Sequence, residues 1–209
     1  MSNHPADRIA AIYERFAVEW DGDRNSAGWN DKHWHDRFVE CLVPGSTVLD
    51  LGCGSGRPVA QNLVRHGLQV TGVDVSPTMI SLCRNRMPEQ EWIVSDMRTV
   101  ALNRRFDGIL AWDSFFFLRP DDQRRMFDVF AAHAAKPSVL MFNAGPSHGE
   151  VVGEYRGEPL YHASLAPTEF QMLLARAGFE IMEHRAEDPK TGGRTGWIAR
   201  SRMPPLYVP

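Results

Sequence analysis

A chain of 209 residues is long enough for one substantial α/β core and short for two domains. With 43% hydrophobic and 23% charged residues it has an ordinary globular composition, which excludes disordered, collagen-like and coiled-coil chains. A formal net charge of -3 supplies no global positive field, so neither a nucleic-acid nor a membrane partner is expected.

The first twenty residues carry Asp7, Arg8, Glu14, Arg15 and Glu19 and lack the apolar core of a signal peptide. The most apolar stretch, Gly108 to Leu118, is interrupted by Asp113 and is too short for a bilayer span. Cys41, Cys53 and Cys83 form no CxxC pair, which fits reduced thiols in a cytoplasm better than a disulfide framework or a zinc site.

In chain order, Ile9, Ile12, Tyr13, Phe16 and Trp20 recur at helical spacing behind Pro5, and predict one amphipathic helix. Asp21 to Gly28 reads as a polar connector, and Trp34, Phe38 and Leu42 mark a second helix ended by Pro44-Gly45. Strands and helices then alternate: a strand at 47–51, a helix after Pro58, a strand at 69–74, a helix after Ser76-Pro77, strands at 92–95 and 106–112, a helix from Pro120 and a strand at 139–142. Such alternation predicts parallel βαβ units with helices on both faces of the sheet. Residues 144–163 break the rhythm with four glycines and two prolines, and are expected to be an inserted loop beside the site. A helix from Pro167 to Ala177 is capped by Gly178, and the turn residues Asp188 to Arg194 leave no room for a crossover, so the last strand, near 197–200, should run antiparallel after its neighbour at 179–183.

Residues 48–56, VLDLGCGSG, set an apolar strand directly before Gly52, Gly54 and Gly56, where a ligand can approach the backbone at the carboxyl end of the sheet. Asp74 ends the second strand, where a carboxylate can accept hydrogen bonds from both hydroxyls of a ribose. These residues point to a nucleoside without naming it. Arg57 stands where a dinucleotide fingerprint needs a third small residue, and Asp50 suits a cationic ammonium better than a pyrophosphate.

With GVDVS at 72–76 and SDM at 95–97 added, the chain from about residue 46 onward resembles the class I (Rossmann-like) S-adenosylmethionine (SAM)-dependent methyltransferases of small-molecule type. The resemblance implies an α/β fold with a seven-stranded, mostly parallel sheet of order 3-2-1-4-5-7-6, strand 7 antiparallel, helices on both faces and N-terminal lid helices. It also implies one domain over 1–209: a lid at 1–45, a SAM-binding core at 46–143, a substrate-side insertion at 144–166, and a C-terminal helix and β-hairpin at 167–209. SAM would be the cofactor and S-adenosylhomocysteine (SAH) the product.

Carried over residue by residue, the resemblance places Asp50, Gly52, Cys53, Gly54 and Gly56 around the methionine portion and Asp74 on the ribose. Val75 and Met79 would flank the adenine, Asp96 would accept from its amino group and Met97 would cover the ring, with Ser76 also in the cofactor site. Ala111, Trp112 and Asp113 would lie near the transferred methyl, with Tyr13 as a lid tyrosine.

Methyl transfer is an in-line displacement that requires alignment and exclusion of water, and a general base only when the acceptor must lose a proton. His148, Tyr161 and His162, with Glu150 nearby, are the candidate catalytic residues from the inserted segment. Trp112 and Phe116 could hold a small organic acceptor by their ring faces. WDSF at 112–115 lacks the Asn/Asp-Pro-Pro-aromatic run of DNA amino-methyltransferases, which argues against DNA as acceptor. Asp113 and Asn143 alone do not make a metal site, so no metal is expected. Two further readings stay open: a SAM-binding module without transferase activity, whose acceptor pocket would be blocked behind Trp112, and a nicotinamide-dependent oxidoreductase, against which Arg57 stands.

Overall fold

The computed structural model describes residues 4–202, so the expected span of 1–209 extends beyond the described residues at both ends. Its entry is a short 3-10 turn, Pro5–Arg8, followed by α1 (Ile9–Arg15) and α2 (Ala17–Ser26). The expected single helix is therefore bent at Phe16, whose φ of -110° and ψ of 23° leave helical geometry. The supposed connector after Asp21 is the second half of α2. Its polar residues are anchored by partners on the body of the protein: Asp21 receives Arg86 and Ser55, and Arg24 meets Asp31. A third helix, α3 (Lys32–Glu40), buries Trp34, His35 and Phe38.

The body alternates as anticipated: β1 (Thr47–Leu51), α4 (Val59–Arg65), β2 (Gln69–Asp74), α5 (Pro77–Arg86), β3 (Glu91–Val94), β4 (Phe106–Ala111), α6 (Pro120–His133) and β5 (Ala134–Ala144). After β6 (Gly149–Tyr155) and β7 (Glu158–Ser164) come α7 (Pro167–Arg176), β8 (Phe179–Asp188) and β9 (Arg194–Ser201). The main sheet runs β3-β2-β1-β4-β5-β9-β8, which, counting its own strands alone, is the expected order 3-2-1-4-5-7-6. β9 is antiparallel to both β5 and β8.

The central strands are apolar on both faces because helices cover both. Leu49, Leu51, Ile109, Ala111, Leu140 and Phe142 enter one core, while Val48, Leu110, Val139 and Met141 enter the other. Because β1 to β4 pair in parallel, their carboxyl ends share one edge, where the loops after β1, β2, β3 and β4 meet.

The segment expected to be an irregular loop is instead an antiparallel hairpin, with Gly149 opposite Ser164 and Tyr155 opposite Glu158. Arg156 and Gly157, at φ of 51° and 81°, make its tight turn. No apolar alternation announces β6 because it is exposed along almost its whole length, and its strand character rests on backbone pairing. The hairpin is tied to the lid: Glu158 accepts from Arg8 and Arg15, and Tyr155 donates to Asp23. Among the described residues no helix is long and apolar enough to cross a membrane.

Candidate active site

A cleft opens at the carboxyl edge of the sheet, floored by the loops after β1 and β2 and roofed by α1 and α2. Its floor starts where β1 ends. The Gly52 and Cys53 amides both donate to the Val73 carbonyl, at 2.7 and 3.1 Å, and the Gly54 amide donates to Asp74 Oδ2 at 2.9 Å. Asp74 Oδ1 accepts from the Ser76 amide at 2.9 Å, so this one carboxylate joins the glycine loop to the end of β2.

Gly52 has a φ of 79°, and a Cβ there would lie 2.3 Å from Ser114 Cβ. Ser114 is fixed in turn by donating to the Leu51 carbonyl at 2.7 Å. A side chain at 52 would thus push apart the loops after β1 and β4. Gly56 has a different reason to be glycine: a Cβ would meet Met87 Cε at 2.6 Å, so this residue packs against α5 and its flank.

Asp50 is the least satisfied charge of the site. It lies on the cleft wall, is only 3% exposed, and accepts no hydrogen bond from any described residue. Burial, with the Asp74 charge adding, pushes its carboxyl up to about 7. Burial also raises Asp74, partly offset by the amides of Ser76 and Gly54. Two neighbouring carboxylates, Asp50 buried and Asp74 half-buried, create a site that favours an incoming cation and hydrogen-bond donors.

Beyond them the cleft wall continues through Val75, Met79, Asp96 and Met97. Asp96 is engaged by the Arg98 guanidinium and amide at 2.5 to 3.0 Å, so its carboxylate is already well supplied with donors. At the opposite end stand Tyr13, Trp20, Arg24, Trp112, Asp113 and Phe117. The Tyr13 ring packs on Trp20 and Phe117 with centroids 5.0 and 5.2 Å apart, and its buried hydroxyl has no hydrogen-bond partner. Burial, then the Asp113 charge, raises that phenol well above its ordinary range.

This end is assembled by an ionic network from four separate segments. Arg24 Nη2 donates to both oxygens of Asp31, at 3.1 and 2.9 Å, and the Trp112 indole donates to Asp31 Oδ2 at 2.7 Å. Burial alone would raise Asp31, but His35, Arg24 and Arg194 outweigh it and hold the carboxyl well below its usual range. Asp113 receives two bonds from Arg194, at 2.9 and 3.0 Å, and one from Asn143 Nδ2 at 2.7 Å. Its left-handed backbone, φ 51°, is braced by its own amide donating to Asn143 Oδ1.

Of the expected site residues, the cleft brings together Tyr13, Asp50, Gly52, Cys53, Gly54, Asp74, Val75, Met79, Asp96, Met97, Trp112 and Asp113. Gly56, Ser76 and Ala111 stand behind the wall. Ser76 caps α5 by accepting from the Met79 amide and donates to Glu14 of the lid, while Ala111 is wholly within the core. The three expected catalytic residues are not in the cleft. His148 is exposed in the turn before β6, and Tyr161 points away to donate to Glu150 at 2.9 Å. His162 stacks on Phe116 behind the cleft-lining Phe117, and burial lowers its pKa. For Tyr161 and His162 the reason is the hairpin: a strand with fixed alternation aims them at the lid's outer flank and the aromatic layer, where a loop could have folded inward.

Sequence reasoning missed Arg24, Asp31 and Arg194. Arg24 carried a usable signal, since Tyr13, Trp20 and Arg24 are spaced by seven and four, the period of one helix face. Asp31 and Arg194 had none, because their meeting depends on the packing of α3 against β9.

A family model described as a methyltransferase domain matches residues 48–136. Over 194 residues the chain is 32% identical to the demethylmenaquinone methyltransferase of Tropheryma whipplei (strain Twist), covering 88% of this chain and 78% of that one. It is also 32% identical over 109 residues to a magnesium-protoporphyrin O-methyltransferase of Rhodobacter capsulatus, of which it spans 47%. Among solved structures, the magnesium protoporphyrin IX methyltransferase of Synechocystis PCC 6803 with bound SAM superposes with a TM-score of 0.74 at 15% identity, over 96% of this chain and 99% of that one, a likeness of fold. The coverage of the demethylmenaquinone relative, with the glycine loop and its two carboxylates in place, establishes that this chain belongs to the class I SAM-dependent methyltransferases.

Proposed function

We propose that this chain transfers the methyl group of SAM to a small organic acceptor seated between the aromatic lid and Trp112, leaving SAH. Bound SAM would supply an electrophilic methyl on a sulfonium. The observation that carries the reading is Asp50, a buried carboxylate without a partner at the mouth of the glycine loop. An ammonium there would restore it to the ionised state, and an anionic pyrophosphate would meet repulsion.

The other residues divide the remaining work. Asp74 spends one lone pair of each oxygen on a backbone amide and keeps one on each for the ribose hydroxyls. Val75, Met79 and Met97 offer apolar surface to the adenine, with the Asp96–Arg98 pair at its edge. Gly52, Cys53 and Gly54 leave the backbone open to the methionine chain, and nothing lies within 4 Å of a Cβ built at Gly54. Tyr13 and Trp20 of the lid close over the reacting end and exclude water, and Trp112 and Asp113 form its far wall.

Calorimetry with SAM, SAH and NAD tests the reading. SAM and SAH should bind and NAD should not, whereas tight NAD binding with none for SAM overturns it.

A further inference from the structure

The reacting end of the cleft is rich in hydrogen-bond donors and poor in bases. Among the described residues no histidine, lysine or glutamate lines it. Of its carboxylates, Asp113 accepts three hydrogen bonds from Arg194 and Asn143 and has Arg24 Nη2 3.7 Å away, and Asp50 would be paired by the methionine ammonium of the cofactor. Farther along, Asp74 accepts one amide on each oxygen and is assigned to the ribose, Asp96 is engaged by Arg98, and Asp122 by Arg98 and Arg125. The Cys53 thiol is buried, which disfavours its thiolate.

The donors, by contrast, are unspent. The Tyr13 hydroxyl is buried and unpartnered. Arg24 engages Asp31, and Asp113 at 3.7 Å, through Nη2 alone, and its Nε and Nη1 make no hydrogen bond to any described residue while the side chain stands in the cleft wall. A buried donor without an acceptor costs free energy that a ligand's lone pairs recover.

Resting on the methyltransferase reading above, we propose that the acceptor is an oxygen or sulfur acid that reacts as its own anion, a carboxylate, acidic phenol or enol, or thiol. The anion is received by the Tyr13 hydroxyl and the free edge of Arg24. The acceptor's lone pair forms the new bond to the methyl carbon, and the electron pair of the breaking carbon–sulfur bond returns to sulfur. One negative and one positive charge annul, and no proton is taken up or released by the enzyme. A cleft without a base is sufficient for such an acceptor and insufficient for one that must be deprotonated in place.

The test uses ring-sized probes, suited to the aromatic walls: benzoate, 4-nitrophenol, phenol, thiophenol and benzylamine, each with SAM, the products read by mass spectrometry. At least one acid should be methylated and benzylamine should not. Between phenol and 4-nitrophenol, the rise of kcat/KM with pH should follow each acceptor's own pKa. Tyr13→Phe and Arg24→Lys should each lower kcat/KM for the acid about tenfold or more, with the SAH dissociation constant held within about threefold. Methylation of benzylamine alone, or of no acid, overturns the proposal, as does one shared pH profile for the two phenols. So does an equal loss of SAH affinity in the variants, which would assign Arg24 and Tyr13 to the cofactor. Failure of the wild-type protein to bind SAH sinks the methyltransferase reading itself and is thereby told apart from failure of this inference.

Discussion

The two ends of the cleft are built on opposite principles. The glycine-loop end is made by residues 50–56 and 73–74, two short segments in which the loop's backbone amides donate to the Val73 carbonyl and the Asp74 carboxylate. The reacting end is made by Tyr13 and Arg24 of the lid, Asp31 before α3, Asp113 after β4 and Arg194 of β9, which meet only through side chains. A site written into backbone geometry tolerates little change in residue type. One written into side-chain charge can be retuned for a new substrate by exchanging pairs, which fits the variety of methyltransferases that share the fold.

Substitutions can break that contrast. The largest effect is expected at the backbone end: Gly52→Ala combines a left-handed φ with a Cβ pressed on Ser114, and should cost roughly 2–5 kcal/mol of stability by urea denaturation. At the side-chain end, Asp31→Ala strands Arg24 and takes the acceptor from the Trp112 indole, a loss of about 3 kcal/mol by the same measurement. The backbone-end variant should also abolish SAH binding, and Asp31→Ala should spare much of it. Equal losses of SAH affinity would mean that the two ends are one cooperative unit.

Smaller effects sharpen the roles. Asp74→Ala should weaken SAH binding by roughly 1–3 kcal/mol in calorimetry, and an unchanged affinity would remove Asp74 from the ribose. Asp50 gives a pH signature with a definite sign. Its folded pKa of about 7 lies above the ordinary 3.8, so its contribution to stability is complete below about pH 4 and is lost as the pH rises through 7. Pairing with an ammonium ionises it, so SAH binding at pH 6 should release up to about one proton, visible as a buffer-dependent enthalpy that Asp50→Asn removes. The smallest effect is expected for His148→Ala, exposed and outside the cleft, at within about 0.5 kcal/mol in stability and no change in turnover.

The misreadings share a cause. The alternation of strands and helices and the antiparallel last strand were legible because each central strand is buried on both faces and each helix has one apolar face. The bend at Phe16 and the hairpin at 149–164 were illegible because neither is held by its own apolar pattern. The lid is fastened by Glu14 to Ser76 and Thr78, by Asp21 to Arg86, and by Arg8 and Arg15 to Glu158, all long-range polar contacts.

By itself, then, the sequence determined the alternating strands and helices and the glycine loop with Asp74, since VLDLGCGSG and Asp74 lie within one βαβ unit whose geometry is local, while the strand order followed from the family resemblance. Only the tertiary structure decided the reacting end. It removed His148, Tyr161 and His162 from the cleft and tied Asp31 to Trp112 and Arg194 to Asp113, because hydrogen bonds between residues more than eighty positions apart leave no period or spacing in the chain.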